Sequence, residues 1–240
     1  MKDFSNLQIS FKPWPKGEDE TLLLSEIAPI DIHKCYPMRR PTAYHGQKHF
    51  PNLYFFQKTK KHIVCESLNE KMAAMVLDFS PSTRDVSSQP FALHYIYRKK
   101  LFKHYPDFYV TTLNEEVRII DVKTSNSVAR FLEDRQYLVT AQACTELGWS
   151  YEVVVEPSAT FAANLHWLAD YRHGVPDATN FTDGLIELCG EGPQSIGTLS
   201  GDSTTRLFVR PVLFWLIWCG VLTIDLTQPL TEATLVRLRT

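Results

Sequence analysis

The sequence lacks the regular cysteine spacings from which disulfide frameworks and zinc sites are built. It contains an odd number of cysteines, none of them in a CxxC motif: Cys35, Cys65, Cys144, Cys189 and Cys219. Structural zinc sites and small disulfide-rich folds use closely and regularly spaced cysteines. The pattern therefore excludes both classes, and we expect reduced thiols in a cytosolic protein.

Charge of one sign and long apolar runs are scarce as well. The 240 residues include 25 basic and 27 acidic side chains, which excludes a uniformly basic nucleic-acid coat but permits a local positive groove. The longest apolar run, residues 212–224, is shorter than the roughly 20 residues of a membrane-spanning helix. Because the N-terminal MKDFSNLQIS also lacks an apolar signal core, we expect a soluble cytoplasmic protein with no membrane partner.

Several other functional signatures are missing. There is no internal repeat or low-complexity tract, and no Gly-rich phosphate loop, so ATP chemistry would have to come from a partner. No local hydrolase signature of the Ser-His-Asp or Cys-His type is present either. Any chemistry must come from side chains that the fold brings together.

Apolar periodicity predicts the secondary structure of the middle of the chain. The predicted elements are a strand pair at 54–65, a helix at 67–79, strands within 91–110 and at 117–122, a helix from about 127 to 147 that ends at Gly148, and a strand at 151–156. This order predicts a mixed α/β sheet flanked by helices, with a β-α-β crossover in its second half.

The two ends of the chain differ from this middle part. Residues 1–50 contain scattered prolines and little periodicity, so we expect an N-terminal arm or subdomain before an α/β core at 51–157. Residues 158–240 begin with a helical stretch and end with an apolar helix stopped by Gly220, followed by a strand at 221–226. A helix followed by a β wing is the shape of a winged-helix module.

The stretch HYPDFYVTTLNEEVRIIDVKTS places two carboxylates and a lysine where they can converge. If residues 105–112 and 117–123 form an antiparallel hairpin, Asp107 lies opposite the end that carries Asp121 and Lys123. Side chains two apart on a strand share a face. One hairpin therefore brings two carboxylates and an ammonium group to a single point at the margin of the sheet.

Two carboxylates this close repel each other unless a cation lies between them. Their hard oxygen atoms suit Mg²⁺ or Mn²⁺, and a metal so held can activate water at a phosphodiester. Lys123 would orient the attacking water or neutralise the developing negative charge. A third carboxylate is expected from the helix beside the hairpin, where Glu66 and Glu70 lie one turn apart.

A helix glutamate, Pro-Asp and Asp-x-Lys together resemble the PD-(D/E)xK nuclease superfamily. More narrowly, the segments HIVCESLNEKMAAMVLDF, YPDFYV, RIIDVKTS and LGWSYEVVVE, in this order, resemble TnsA, the endonuclease subunit of heteromeric transposases. The resemblance covers roughly residues 45–175, and the C-terminal LFWLIWCGVLTIDLTQPL is compatible with that family's winged-helix-like second domain. It implies that Glu70, Asp107 and Asp121 bind metal and that Lys123 assists the nucleophilic water.

The resemblance also implies a fold and a function. The fold would be α/β, with a restriction-endonuclease-like mixed sheet flanked by helices and a small C-terminal winged-helix-like domain that binds partners. The function would be that of a Mg²⁺-dependent DNA endonuclease, with Mn²⁺ as a substitute, that cleaves the 5′ strands at transposon ends during cut-and-paste DNA transposition. A TnsB-like DDE transposase would cut and join the 3′ ends, and a TnsC-like ATPase regulator would bind the C-terminal part, on the nucleoid in the bacterial cytoplasm.

Two alternative functions fit the same residues. The first is a stand-alone restriction or DNA-repair nuclease with the same core. The second is a non-catalytic scaffold that joins transposase and ATPase and retains only the fold. The complete set of acids and lysine argues against a scaffold, since a scaffold has no need to keep these charges clustered.

Each candidate residue also has an ordinary structural explanation. Asp107 can cap a turn after proline, and Asp121 with Lys123 can form a solvated ion pair on an edge strand. Glu70 fits a capping box with Ser67, in which it only stabilises the start of the helix. The apolar context VRIIDVK favours the functional interpretation, because a charge that ends a buried strand needs a partner.

Basic and histidine side chains add one further prediction. The basic stretches 58–62 and 98–103 flank the candidate site with interleaved aromatic residues, and such clusters contact DNA phosphates. The eight histidines show no metal-ligand spacing. His104 lies close to Asp107 in the sequence and is expected to be a surface histidine.

Overall fold

The computed structural model of the chain describes Phe4 and residues 6–27, 31–39, 52–175 and 179–239. The chain forms two compact units, Met1–Leu77 with Ser82–Glu156 and Asp78–Pro81 with Pro157–Thr240. Within the described ranges there are seven α-helices and fourteen β-strands. The predicted mixed α/β class is therefore confirmed. No helix in these ranges is long and apolar enough to cross a membrane.

Eleven strands and three helices precede Pro157 in the described part of the chain. In chain order they are β1 (Gln8–Pro13), β2 (Glu20–Leu23), β3 (Cys35–Tyr36), β4 (Asn52–Phe56), β5 (Lys61–Cys65), α1 (Leu68–Phe79), β6 (Thr83–Ser88), β7 (Ala92–Tyr97), β8 (Lys100–His104), β9 (Phe108–Thr112), β10 (Val117–Val122), α2 (Ser125–Leu132), α3 (Arg135–Leu147) and β11 (Ser150–Val154). The strand pair β4–β5, helix α1 and strand β10 lie where the sequence predicts them. Strands β1, β2, β3 and β6 are not predicted from the sequence.

The predicted hairpin and crossover both belong to a four-stranded sheet with the strand order β11-β10-β9-β6. Strands β9 and β10 are antiparallel, with Phe108 opposite Ile120, and β10 and β11 are parallel, with Asp121 opposite Val153. Helices α2 and α3 supply the long connection that a parallel pair requires. Strand β10 is thus an interior strand, and Ile119 and Ile120 near its centre are buried.

A second sheet of the first unit joins segments that lie far apart in the sequence. Its strand order is β2-β1-β7-β8, and β3 pairs with the far end of β1. The described part of residues 1–50 therefore contributes three strands to this sheet. Its apolar side chains Ile9 and Phe11 are buried in one core with Leu93 and Tyr95 of β7.

Two helices occupy the stretch for which the sequence predicts one helix from about residue 127 to 147. Helix α2 ends at Leu132, and α3 begins after Asp134, whose side chain accepts a hydrogen bond from the N–H of Gln136 as an N-cap. The single-helix prediction is wrong at this break. The predicted end is confirmed, because Gly148 closes α3 with a φ of 69°, a conformation that glycine adopts without steric cost.

Four helices and three strands follow Pro157 in the described residues: α4 (Ala159–Leu168), α5 (Thr179–Gly190), β12 (Gln194–Ser195), α6 (Ile196–Leu199), α7 (Arg206–Trp218), β13 (Leu222–Thr223) and β14 (Leu235–Leu238). The strands form an antiparallel sheet with the order β12-β14-β13. Helix α7 is the predicted apolar helix. The strand predicted at 221–226 is wrong beyond Thr223, because the Asp225 carboxylate accepts hydrogen bonds from the N–H and hydroxyl of Thr227 and forms a local turn.

Candidate active site

Asp107 lies immediately before β9, beside the end of the neighbouring strand β10. Its Oδ2 accepts a hydrogen bond of 2.6 Å from the N–H of Val122, and its carbonyl accepts one of 2.9 Å from the N–H of Gln89. The side chain therefore continues the β9–β10 ladder beyond its last paired residues. The structural alternative of a local turn cap does not describe this contact, which joins residues fifteen positions apart.

Asp121 is completely buried, with none of its side chain exposed. Its Oδ2 accepts hydrogen bonds from His104 Nε2 at 2.9 Å and from the Tyr151 hydroxyl at 2.5 Å. Because an ionised carboxylate can only accept, both partners act as donors. Burial raises the pKa of Asp121, but the hydrogen bond and charge of His104, with Lys123 and Tyr151, outweigh it and lower the pKa below its ordinary value.

The prediction that His104 is a surface histidine is wrong. Its side chain is only 6% exposed, and it faces Asp121 rather than solvent. The residue ends β8, so its position depends on how the sheet that contains β8 approaches β10. This approach is a tertiary contact that no local spacing indicates.

Lys123 brings the two carboxylates together. Its Nζ lies 3.3 Å from Oδ1 of Asp121 and 3.5 Å from Oδ2 of Asp107, and it donates a hydrogen bond of 3.2 Å to the carbonyl of Val122. The ammonium group also lies 4.4 Å from the centre of the Phe131 ring in α2, a cation–π contact. Asp107, Asp121 and Lys123 thus converge, as the hairpin predicts.

One ammonium group does not balance two carboxylates of which one is fully and the other largely buried. Burial and the neighbouring charge of Asp121 raise the pKa of Asp107 to about 8, although Lys123 opposes the change. Because the two acids interact strongly, they titrate as a pair. At neutral pH the pair therefore keeps a proton on Asp107 in the absence of a further cation.

Part of the cluster is open to solvent. The side chains of Asp107 and Lys123 are 17% and 22% exposed, whereas Asp121 lies behind them. The alternative of a solvated ion pair on an edge strand does not fit this arrangement, because β10 is an interior strand and Asp121 is buried. The exposed side of the cluster is thus open to a ligand, while Asp121 is fixed by its donors.

Glu70 forms the start of α1, in agreement with the structural alternative of a capping box. The Ser67 hydroxyl accepts from the N–H of Glu70 and donates to Oε1 at 2.9 Å, and Oε2 accepts from the N–H of Glu66 at 2.7 Å. Burial raises the pKa of Glu70, and Lys123 is among the charges that act on it. Glu66 instead lies 3.4 Å from Arg39, so Glu70 is the helix acid that belongs to the electrostatic environment of the cluster.

The donor chemistry of the cluster suits a hard divalent cation in part. Two carboxylates and an excess of negative charge are what Mg²⁺ or Mn²⁺ requires of a protein site in which water and phosphate supply the other ligands. Among the described residues, however, no group of three or more His, Cys, Asp or Glu side chains is placed to hold a metal ion. The contacts give the reason: the oxygens of Glu70 hold the helix start, and among the described acids Asp107 Oδ2 and Asp121 Oδ1 lie within 3.5 Å of Lys123 Nζ. Asp107 and Asp121 are thus the two carboxylates that would hold such a cation.

Sequence reasoning missed both donors that hold Asp121. Tyr151 lies on β11 directly opposite Ile119 of β10. Ile119 is two residues before Asp121, so Tyr151 and Asp121 are on the same face of the sheet. The sequence predicted the parallel β10–β11 pair but not its register, and the register is what places Tyr151 beside Asp121. Burial and Asp121 raise the pKa of the Tyr151 hydroxyl, so it remains a donor.

Comparisons with known proteins add neither a family nor a relative to this geometry. No protein-family model matches the sequence, and no curated protein is significantly similar to it. The resemblance to TnsA therefore depends on the four sequence segments and on the side chains assembled here.

Proposed function

We propose that the protein is a Mg²⁺-dependent DNA endonuclease of the PD-(D/E)xK type and the TnsA-like subunit of a heteromeric transposase. The observation that carries the proposal is the meeting of Asp107 and Asp121 at Lys123 Nζ, with no more than 3.5 Å between the ammonium group and either carboxylate. It would cleave the 5′ strands at transposon ends in the bacterial cytoplasm, together with a TnsB-like DDE transposase.

The residues of the chain would divide the work of phosphodiester hydrolysis. Bound Mg²⁺ would supply Lewis acidity at the scissile phosphate and lower the pKa of a coordinated water. Asp107 and Asp121 would hold it, and His104 and Tyr151 would fix Asp121 in one orientation. Lys123 would orient the attacking water and stabilise the negative charge that develops on the phosphate.

The arrangement of elements supports the fold that the proposal requires. Helix α1 precedes the β9–β10 hairpin, and α2 and α3 lead from β10 to its parallel neighbour β11, which is the order of a restriction-endonuclease-like core. In the second unit, α5, β12, α6, α7, β13 and β14 follow the order of a winged-helix module. We propose that this unit binds a TnsC-like ATPase regulator.

Cleavage by variants tests the proposal. Asp107→Asn, Asp121→Asn and Lys123→Met each remove an ionisable group with little change in side-chain volume, and each should lower Mg²⁺-dependent nicking of plasmid DNA by about 100-fold or more. Isothermal titration with Mn²⁺ should give binding to the wild type and none to Asp107→Asn. Circular dichroism confirms folding, and Asp19→Asn, an exposed acid of the same unit, is the control. Full cleavage by the three variants would exclude the proposal.

The capping contacts of Glu70 favour one alternative, a non-catalytic scaffold. Both oxygens of Glu70 are hydrogen-bonded, to Ser67 and to the N–H of Glu66. Its burial is therefore explained without a metal. Absence of Mn²⁺ binding together with intact partner binding would establish the scaffold. Cleavage by the purified chain without a transposase would instead favour a stand-alone nuclease.

A further inference from the structure

The hairpin formed by β7 and β8 carries an exposed cationic segment in the same unit as the candidate site. Tyr97 pairs with Lys100, so Arg98 and Lys99 alone make the turn, and their φ values are 48° and 62°. Two consecutive residues with positive φ define the type I′ turn, which favours Asn-Gly. Here the two turn positions are occupied by Arg98 and Lys99, which are less favourable at positive φ than asparagine or glycine.

One face of the hairpin is anchored to the protein. The guanidinium carbon of Arg135, the first residue of α3, lies 4.7 Å from the centre of the Tyr97 ring and 4.5 Å from that of Phe102. Phe102 also stacks on the buried Tyr95. These contacts hold the hairpin in a fixed orientation.

The outer part of the opposite face is exposed in the described structure. Ile96 and Leu101 form a cross-strand pair on it, and they are 54% and 62% exposed. Lys103 is on the same face, because it lies two residues from Leu101 on β8. The result is an exposed aliphatic pair with a lysine on one side and the cationic turn on the other.

The cations of this hairpin are not neutralised by carboxylates of the described residues, although the guanidinium carbon of Arg98 lies 5.4 Å from the centre of the Tyr97 ring. Arg98, Lys99, Lys100 and Lys103 are exposed, and none of the four is in an ion pair with a carboxylate of the described residues. The other basic hairpin, β4–β5, differs: Lys61 lies 3.4 Å from Asp85, and Lys58 donates to the carbonyl of Thr83.

Strand β8 connects these cations directly to the candidate site. His104, its last residue, donates to Asp121. At about 3.4 Å per residue, Lys100 lies about 14 Å from His104 along the strand. Phosphates of one DNA strand follow each other every 3.4 Å along the helix axis, so the turn lies about four nucleotides from the site.

We propose that the β7–β8 hairpin grips the phosphate backbone of duplex DNA about four nucleotides from the scissile phosphate. The inference rests on the proposed nuclease function, because it takes the substrate of that site as the polyanion. Arg98 and Lys99 contact phosphates at that distance, Lys103 contacts a phosphate nearer the site, and the pair Ile96–Leu101 packs against the deoxyribose edge between them. The second unit is unsuited to this task, since residues 157–240 contain eight acidic residues, five arginines and no lysine.

A charge-matched pair of variants tests the proposal. Arg98→Asn/Lys99→Gly/Lys103→Gln removes three charges while giving the turn its preferred Asn-Gly pair. Lys16→Gln/Lys34→Gln/Arg84→Gln removes three charges that are paired with Glu20, Asp31 and Glu115. Affinity for a 30-base-pair duplex is measured by fluorescence anisotropy in EDTA, at several salt concentrations, with the full-length chain.

The hairpin variant should lose at least tenfold in affinity at about 100 mM salt, and its slope of log affinity against log salt should fall by about 2.7, or 0.9 for each contact. The control variant should keep the wild-type slope. An unchanged slope in the hairpin variant, or an equal loss in the control, overturns the proposal, as does a loss seen with anionic vesicles but not with DNA. EDTA prevents hydrolysis, so binding is measured independently of cleavage. In a separate assay with Mg²⁺, absence of cleavage by the wild type would refute the nuclease function, while the hairpin contact would still stand if the binding results are as expected.

Discussion

Replacing Asp107 with asparagine should change how the stability of the protein depends on pH. The amide has the shape of the protonated carboxyl group, can still accept the N–H of Val122, and cannot ionise. In the wild type, burial and Asp121 raise the pKa of Asp107 to about 8. The folded protein thus binds this proton more tightly than the unfolded chain does.

The sign and size of the effect follow from linkage. A raised pKa contributes stability that is complete below about pH 4 and is lost as the pH rises to about 8. Between the ordinary pKa of 3.8 and a pKa of about 8, the loss is about 1.4 kcal/mol for each pH unit. The interval from pH 5 to pH 9 therefore spans about 4 kcal/mol. Because Asp107 shares the proton with Asp121, we expect about 2–4 kcal/mol.

The measurement compares urea unfolding of the wild type and Asp107→Asn at pH 5 and at pH 9. Pulsed hydrogen exchange on peptides of β9 and β10 reports on the sheet that holds the residue, independently of the second unit. Between the two pH values, the wild type should lose about 2–4 kcal/mol relative to the variant. The control is Asp19→Asn, because the Asp19 side chain is 56% exposed; its unfolding free energy should change between the two pH values by the same amount as that of the wild type. Parallel curves for the wild type and Asp107→Asn would refute the electrostatic argument.

Three further substitutions test separate contacts. Glu70→Gln should keep the helix cap, the stability of the protein and cleavage, because both oxygens of Glu70 hold the helix start, whereas Glu70→Ala should lose about 1 kcal/mol in urea unfolding; loss of cleavage by a folded Glu70→Gln would instead make Glu70 a third metal ligand. Tyr151→Phe removes a donor to Asp121, and should raise the pKa of that carboxyl and lower stability at pH 7 by about 1–3 kcal/mol; unchanged stability would contradict the contact. Gly148→Ala should cost about 1 kcal/mol from backbone strain alone, because an added Cβ meets nothing within 4 Å; a neutral result would exclude the left-handed cap.

The convergence of Asp107, Asp121 and Lys123 was predicted from strand alternation and a short hairpin, and the structure agrees with it. Alternation places Asp121 and Lys123 on one face, and a hairpin with four residues between its strands brings Asp107 beside them. Nothing longer-ranged was needed. The sequence could not decide the role of Glu70, because its spacing from Ser67 fits both a helix-capping contact and a metal-ligand role.

The missed features are those that depend on tertiary contacts or on weak local preferences. His104 meets Asp121 only because two separate sheets approach each other. Strand β6, with the sequence TRDVSS, has little strand preference of its own and is fixed by pairing with β9. Asp134 is the N-cap that starts α3, but the apolar pattern of the sequence runs through this position and therefore predicts a single helix.

The bond from the Val122 N–H to the Asp107 side chain determines which mutagenesis results can be interpreted. An alanine at this position deletes the acceptor together with the charge and leaves a main-chain donor unpaired at the rim of the sheet. Lost turnover in such a mutant would mix local fraying with altered chemistry. An alanine scan would consequently overstate the chemical importance of this carboxylate, whereas the amide substitution isolates it.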